Sequence, residues 1–258
     1  MKIEHRDRSI KYPPEIRKEK IRIVLDWILE FRFSSIDLLA ERIGSSYKKD
    51  YNFFNALIEN EMCRIFSNIH TGKKRYLMLM KNGLSYLEEN FGRDVSKAET
   101  GVETLGKYSH VLHDMATQYA VLKRLDKFDE VIWDRHIDLP EHQEKPDAIL
   151  YSPRGYWVAL EYERWRKDSK RIYITFYNHF QALSSQLYSG VFYLFDKEND
   201  LHYYQKLFAE SEWPRYKREK KEGKIKILDS TFKPDEVKNL RKSFIFSFEP
   251  IQEMGKEK

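Results

Sequence analysis

Two segments decide how this chain is read: Lys145-Pro146-Asp147-Ala148-Ile149-Leu150 and Ala159-Leu160-Glu161-Tyr162-Glu163-Arg164. Between them lies Ser152-Pro153-Arg154-Gly155, turn chemistry that folds two apolar runs into a hairpin. A turn centred on Arg154 makes opposed residue numbers sum to 308, so Asp147 faces Glu161. Directly opposed Cβ atoms stand about 4.5–5.5 Å apart. Strand alternation puts Glu161 and Glu163 on one face with Trp157 and Ala159. Three carboxylates at one sheet end repel unless protonated, paired with cations or bound to a divalent metal. Oxygen-only ligands suit Mg²⁺ or Mn²⁺, which lower the pKa of a bound water and stabilise charge on a phosphodiester. The plainer alternative is a solvent-facing acidic strand end neutralised by Arg164, Arg166 and Lys167.

Outward from the hairpin, the pattern predicts a helix over 108–125 and a strand over 130–134 before it. After it come a helix (169–188), a strand (191–195), a helix (201–210), a strand (224–228), a helix (234–240) and a last strand (244–248). That order is an α/β domain with a mixed sheet over 108–258. Residues 215–226 crowd Arg215, Lys217, Arg218, Lys220, Lys221, Lys224 and Lys226 beside Trp213 and Tyr216. Such a run suits phosphate tracking and base stacking on single-stranded DNA; a solvated loop diluted by Glu219 and Glu222 is the alternative.

The first 92 residues read differently. Ile21, Val24, Leu25, Ile28 and Leu29 form the stripe of an amphipathic helix. Ser34 or Ser35 caps a second helix that ends at Gly44. A third begins at Ser45-Ser46, with Phe54, Leu57 and Ile58 inward and Lys48, Lys49, Asn52 and Asn55 on its other face. The period then turns to two, giving a hairpin of 63–66 and 75–80 tipped by Lys73, Lys74 and Arg75, and a short helix over 84–89. Residues 93–107 lack a large apolar run and are expected to be the linker between domains 1–92 and 108–258.

Composition limits the function classes. The 258 residues carry 46 Lys/Arg against 41 Asp/Glu, net +5, with 15% aromatics, enough apolar surface for packed cores. Residues 1–92 hold 17 basic and 13 acidic side chains, and residues 93–258 hold the remaining 29 and 28, so the first part is the more basic. The single Cys63 excludes a disulfide framework and a cysteine-rich zinc module and suits a reducing compartment. With no secretory pattern and no apolar run of membrane-spanning length, a soluble cytoplasmic protein is expected.

Three helices followed by a basic-tipped hairpin resemble a winged helix-turn-helix domain. The resemblance implies a third helix in the major groove and a Lys73-Lys74-Arg75 wing on phosphate. A small helical domain of this shape used for protein contacts is the alternative. Pro146-Asp147, thirteen intervening residues and Glu161-Tyr162-Glu163 look like the PD-(D/E)xK nuclease motif, which implies a restriction-endonuclease-like mixed-sheet domain. The two halves together resemble the replication-relaxation family, which includes MobC-type plasmid relaxases. Lys145-Pro146-Asp147-Ala148, Glu161-x-Glu163-Arg164 and His113-Asp114 carry that resemblance.

This resemblance implies a metal held by Asp147 and Glu161, with Glu163 as third ligand or water-positioning group. The motif's usual Lys is here Glu163, so Lys167 or Lys170 would supply the missing charge. His113 would assist as a ligand or from behind one, and Arg164 and Arg171 would stabilise phosphate. His110 and His113, three apart, could face one metal or make ordinary helix-to-sheet hydrogen bonds. Tyr173 and Tyr177 are read as packing residues in preference to covalent nucleophiles. The expected function is a plasmid or mobile-element relaxase or nickase that acts on double-stranded DNA, with single-stranded DNA at the nick and other DNA-processing proteins as further partners. A non-catalytic DNA-binding regulator and a dimeric restriction-type nuclease are the alternatives.

Overall fold

The apolar stripe of residues 14–31 folds as helix α1 (Pro14–Phe31), which buries Val24, Leu25, Trp27, Ile28, Leu29 and Phe31. The structure, a computed structural model, describes residues 14–71, 74–96, 98–138, 145–218 and 224–251. It is mixed α/β with a mixed sheet, and it divides into two compact units, 1–122 and 123–258. Among the described residues no helix is long and apolar enough to cross a membrane.

In the first unit α1 is followed by strand β1 (Phe33–Ser35), α2 (Ile36–Arg42), α3 (Tyr51–Glu59), β2 (Cys63–Ser67), β3 (Arg75–Leu79) and α4 (Lys81–Phe91). Ser35 caps α2 by accepting from the Leu38 N–H, and Gly44 takes a left-handed φ of 71° just past the helix. β2 and β3 form the expected hairpin, and β1 adds antiparallel to β3, giving the order β1-β3-β2. Helix α3 starts at Tyr51, later than expected, so Lys48 and Lys49 lie in the preceding turn and not on its face. Lys49 N and Asp50 N both donate to the Ser46 carbonyl at 3.0 Å in that turn, and the Asp50 carboxylate makes no cap but a buried ion pair with Lys20 of α1 at 3.1 Å.

Residues 93–107 do not form the loose linker expected of them. They contain α5 (Val102–Gly106), whose Leu105 packs with Phe33, Phe66, Tyr76, Met78 and Val111. Asn68 fastens the segment, donating to the carbonyls of Leu105 (2.7 Å) and Tyr108 (2.9 Å). The helix expected at 108–125 is α6 (Val111–Leu122), and it belongs to the first unit. Gln118 accepts from Trp27 Nε1 at 3.0 Å and donates to the Phe33 carbonyl at 2.8 Å. Arg32 meets Asp114 at 3.0 Å.

The second unit comprises β4 (Glu130–Trp133), β5 (Ala148–Tyr151), β6 (Trp157–Glu163), α7 (Ser169–Ser184), β7 (Gly190–Phe195), α8 (Glu198–Phe208), β8 (Trp213–Arg218), β9 (Ile225–Phe232) and β10 (Phe244–Phe248). Five strands form one sheet in the order β10-β7-β6-β5-β4. β5 pairs antiparallel with both β4 and β6, whereas β7 runs parallel to β6 and β10 parallel to β7. A core of Ile149, Ala159, Phe176, Tyr193, Phe195, Tyr204, Trp213 and Phe244 joins the sheet to α7 and α8. The basic run is not a loop throughout: β8 and β9 pair as a separate two-stranded ribbon, with Lys217 opposite Lys226. Lys220 and Lys221 lie outside the described residues. The single helix expected at 234–240 is instead two short 3-10 turns, 234–236 and 240–243, separated by Asn239 in the left-handed conformation (φ 63°). A non-glycine residue there interrupts an α-helix.

Candidate functional site

The β5–β6 hairpin sets the site's register. Gly155, at φ 83°, lets the chain reverse, and its N–H donates to the Ser152 carbonyl at 2.8 Å. Ala148 pairs with Leu160 and Tyr151 with Trp157, the pairing expected from the turn residues. β5 begins at Ala148, opposite Leu160, while β6 runs on beside β7, so the Tyr162 N–H lies past the β5 ladder. Asp147 fills that position with its side chain: its Oδ2 accepts from Tyr162 N at 2.7 Å. A backbone donor at a sheet end thereby gains a charged acceptor, and Asp147 is drawn to the Glu161-Tyr162-Glu163 strand.

Glu161 and Glu163 share the face of β6 that α7 covers, and both are buried, at 5% and 4% exposure. The solvent-facing acidic end considered from sequence is therefore not what forms. Each glutamate has a cation-capable partner. Glu161 Oε1 lies 3.0 Å from His179 Nε2 on α7, and His179 Nδ1 lies 2.6 Å from the Tyr188 hydroxyl. Glu163 Oε1 lies 2.7 Å from Lys167 Nζ. Burial raises the Glu163 pKa to about 7; Lys167 opposes that shift, while the charges of Glu161 and Asp147 reinforce it. Burial alone would lower the Lys167 pKa, yet the carboxylates of Glu163 and Glu161 hold it above the ordinary lysine value. The Tyr193 and Tyr204 phenols are held un-ionised chiefly by burial, then by these same glutamates.

Among the described residues, no group of three or more His, Cys, Asp or Glu side chains is arranged to hold a metal ion. Asp147, Glu161 and Glu163 thus share one neighbourhood without forming a three-ligand cage. The cation that meets Glu163 is Lys167; Lys170 is exposed on α7. Arg164 lies 3.9 Å from Asp196, and Arg171 lies 3.5 Å from Asp168 at the start of α7. His113 stands on α6 in the first unit, whereas the carboxylates belong to the second. His110 precedes α6, accepting through its carbonyl from Asp114 N at 2.9 Å. Tyr173 donates to Glu210 at 2.5 Å, and Tyr177 lies under the Arg215 guanidinium at 4.5 Å, so both have packing partners.

The sequence reading missed His179, Tyr188, Tyr193 and Tyr204. One signal was available for His179: it follows Ile172 and Phe176 at helical spacing, a histidine on an otherwise apolar stripe.

In the first unit Lys48, Lys49 and Asn52 are exposed and Asn55 is half-buried. Lys74 and Arg75 are exposed at the start of β3, and Lys73 lies outside the described residues. Comparison with known proteins leaves the chain without an assigned relative: no family model matches it, and neither does any curated protein or solved structure.

Proposed function

We propose that this is a DNA-processing protein whose first unit holds a DNA site and whose second unit cleaves a phosphodiester with a divalent cation. The reading of the first unit is supported by three helices combined with a β1-β3-β2 sheet, similar to a winged helix-turn-helix. Asn52 and Asn55 of α3, with Lys48 and Lys49 ahead of it, would face DNA, and Lys74 and Arg75 at the start of β3 would contact phosphate. In the second unit, three antiparallel strands followed by α7 and a parallel fourth strand are similar to the PD-(D/E)xK core.

The observation that carries the proposal is the 2.7 Å bond from Tyr162 N to Asp147, which draws the Pro146-Asp147 carboxylate to the Glu161-x-Glu163 strand. Asp147 and Glu161 would hold Mg²⁺ or Mn²⁺ as a two-carboxylate site, with His179 beside Glu161 giving way to the ion, since such ions keep waters and accept phosphate oxygens. Glu163 fits poorly as a third ligand because Lys167 occupies it. When bound, such an ion would supply water activation and charge stabilisation at the phosphate. His179, whose Nδ1 meets the Tyr188 hydroxyl, stands 3.0 Å from Glu161 and would orient it when protonated. The Glu163–Lys167 pair, 2.7 Å apart, would take the position of the motif's lysine and bring a positive charge beside the two carboxylates. Arg164 and Arg171 would meet the phosphate. The activity would be nicking or relaxation of plasmid or mobile-element DNA in the cytoplasm.

A second reading, a non-catalytic DNA-binding regulator, is favoured by one observation: both buried glutamates are already matched by protein side chains. Supercoiled plasmid with Mg²⁺ or Mn²⁺ separates the two readings. Nicking by the wild type that is lost in Asp147→Ala and Glu161→Gln is the expected result. No nicking by the wild type would support the regulator, and equal nicking by all three would remove the site from the reaction.

A further inference from the structure

The carboxyl ends of β6 and β7 carry an aromatic surface that the proposed chemistry leaves unused. Glu163 pairs with Phe195 in parallel register, so Trp165 and Lys197 stand two residues beyond the end of each strand. Trp165 is 65% exposed. Its ring has the Lys197 ammonium 4.7 Å and the Arg164 guanidinium 5.4 Å from its centroid. Arg164 is turned towards Asp196 at 3.9 Å, whereas Lys197 makes no ion pair among the described residues. A second cation–aromatic pair adjoins, Arg166 lying 4.7 Å from the Tyr203 ring. An exposed indole alone needs no explanation. Here it is bordered by cations and lies two residues from Glu163, at the strand ends where open α/β sheets bind ligands. Every nucleobase offers a π-face and every nucleotide a phosphate, so the chemistry that matches is an unpaired DNA strand.

We propose that Trp165 is a stacking platform for one unpaired nucleobase, with Lys197 on the adjoining phosphate. This deepens the DNA-processing reading and rests on it for the identity of the strand.

The test is binding of a short labelled thymidine strand, and of the same strand with abasic sites, to the full chain in EDTA. Trp165→Ala is expected to weaken the base-bearing strand roughly 5- to 100-fold, Trp165→Phe to keep most of the affinity, and the abasic strand to bind wild type and Trp165→Ala alike. Lys197→Ala should weaken both strands and lower the salt dependence. Equal affinity of wild type and Trp165→Ala for the base-bearing strand overturns the platform, as does an equal loss on the abasic strand. Because no metal is present, the outcome is independent of nicking. Plasmid nicking combined with unchanged Trp165→Ala binding would overturn the platform and leave the nuclease reading standing.

Discussion

Replacing Glu163 by Gln tests the most unusual group in the second unit. Burial raises its pKa from 4.5 to about 7 in the folded chain, even with Lys167 2.7 Å away. A carboxyl whose folded pKa is raised binds its proton more tightly when folded. Its contribution to stability is therefore fully present below pH 4.5 and is lost as pH rises to about 7, beyond which the curve is flat. At about 1.4 kcal/mol per pH unit, the loss across that window is about 3 kcal/mol. Gln resembles the protonated acid and cannot titrate. Glu163→Gln should therefore match the wild type near pH 4.5 and exceed it by up to about 3 kcal/mol above pH 7. The measurement is urea unfolding at a series of pH values, read by hydrogen exchange of β6 and β7 amides so that it reports the second unit. A stability gap that does not change with pH would refute the reasoning. So would a variant less stable than the wild type at pH 8, because the Glu163–Lys167 pair would then be a stabilising ion pair.

Lys20→Met leaves the Asp50 carboxylate buried without its ammonium and should cost about 3–5 kcal/mol, with Lys20→Met/Asp50→Leu recovering most of it in thermal unfolding. In Gly83→Ala the new Cβ would stand 2.3 Å from the Met62 carbonyl oxygen, a backbone atom that cannot swing away. A loss of about 1–3 kcal/mol is expected in urea unfolding, and an unchanged midpoint would contradict that packing. Leu105→Ala should cost about 2–5 kcal/mol, since Leu105 is 1% exposed, whereas a residue in a loose linker would cost almost nothing.

The hairpin at the site was legible because its register depends on four adjacent turn residues, and Ala148–Leu160 pair as those residues dictate. Long apolar patterns such as α1 and β7 were legible for the same local reason. Features decided by distant partners were not. Asp50, just ahead of α3, is taken up by Lys20, thirty residues earlier in the chain, and makes no cap. β1 is three residues long, too short to show a period, and exists because β3 offers it an edge. β8 was masked by its charges, although Trp213 buries one end of it. At the site, the residue types on β6 were readable but their burial was not, because covering Glu161 and Glu163 is the work of α7 and α8. Nor could spacing show that Lys167, and not Lys170, would be the cation beside Glu163.

The attachment of α6 to the first unit has a practical consequence for dissecting the chain. A fragment cut at 108 to isolate the sheet would carry away a helix whose Gln118 serves Trp27 and the Phe33 backbone and whose Asp114 serves Arg32. The piece left behind would lose three polar contacts, two to Gln118 and one to Asp114, and the cover that Val111 gives to Phe33 and Tyr76. The detached helix would present Val111, Ala116 and Val121 to water. Both halves would then tend to aggregate for a reason unrelated to their function. Truncations that end at Leu122 and begin at Lys123 keep each set of partners within one polypeptide.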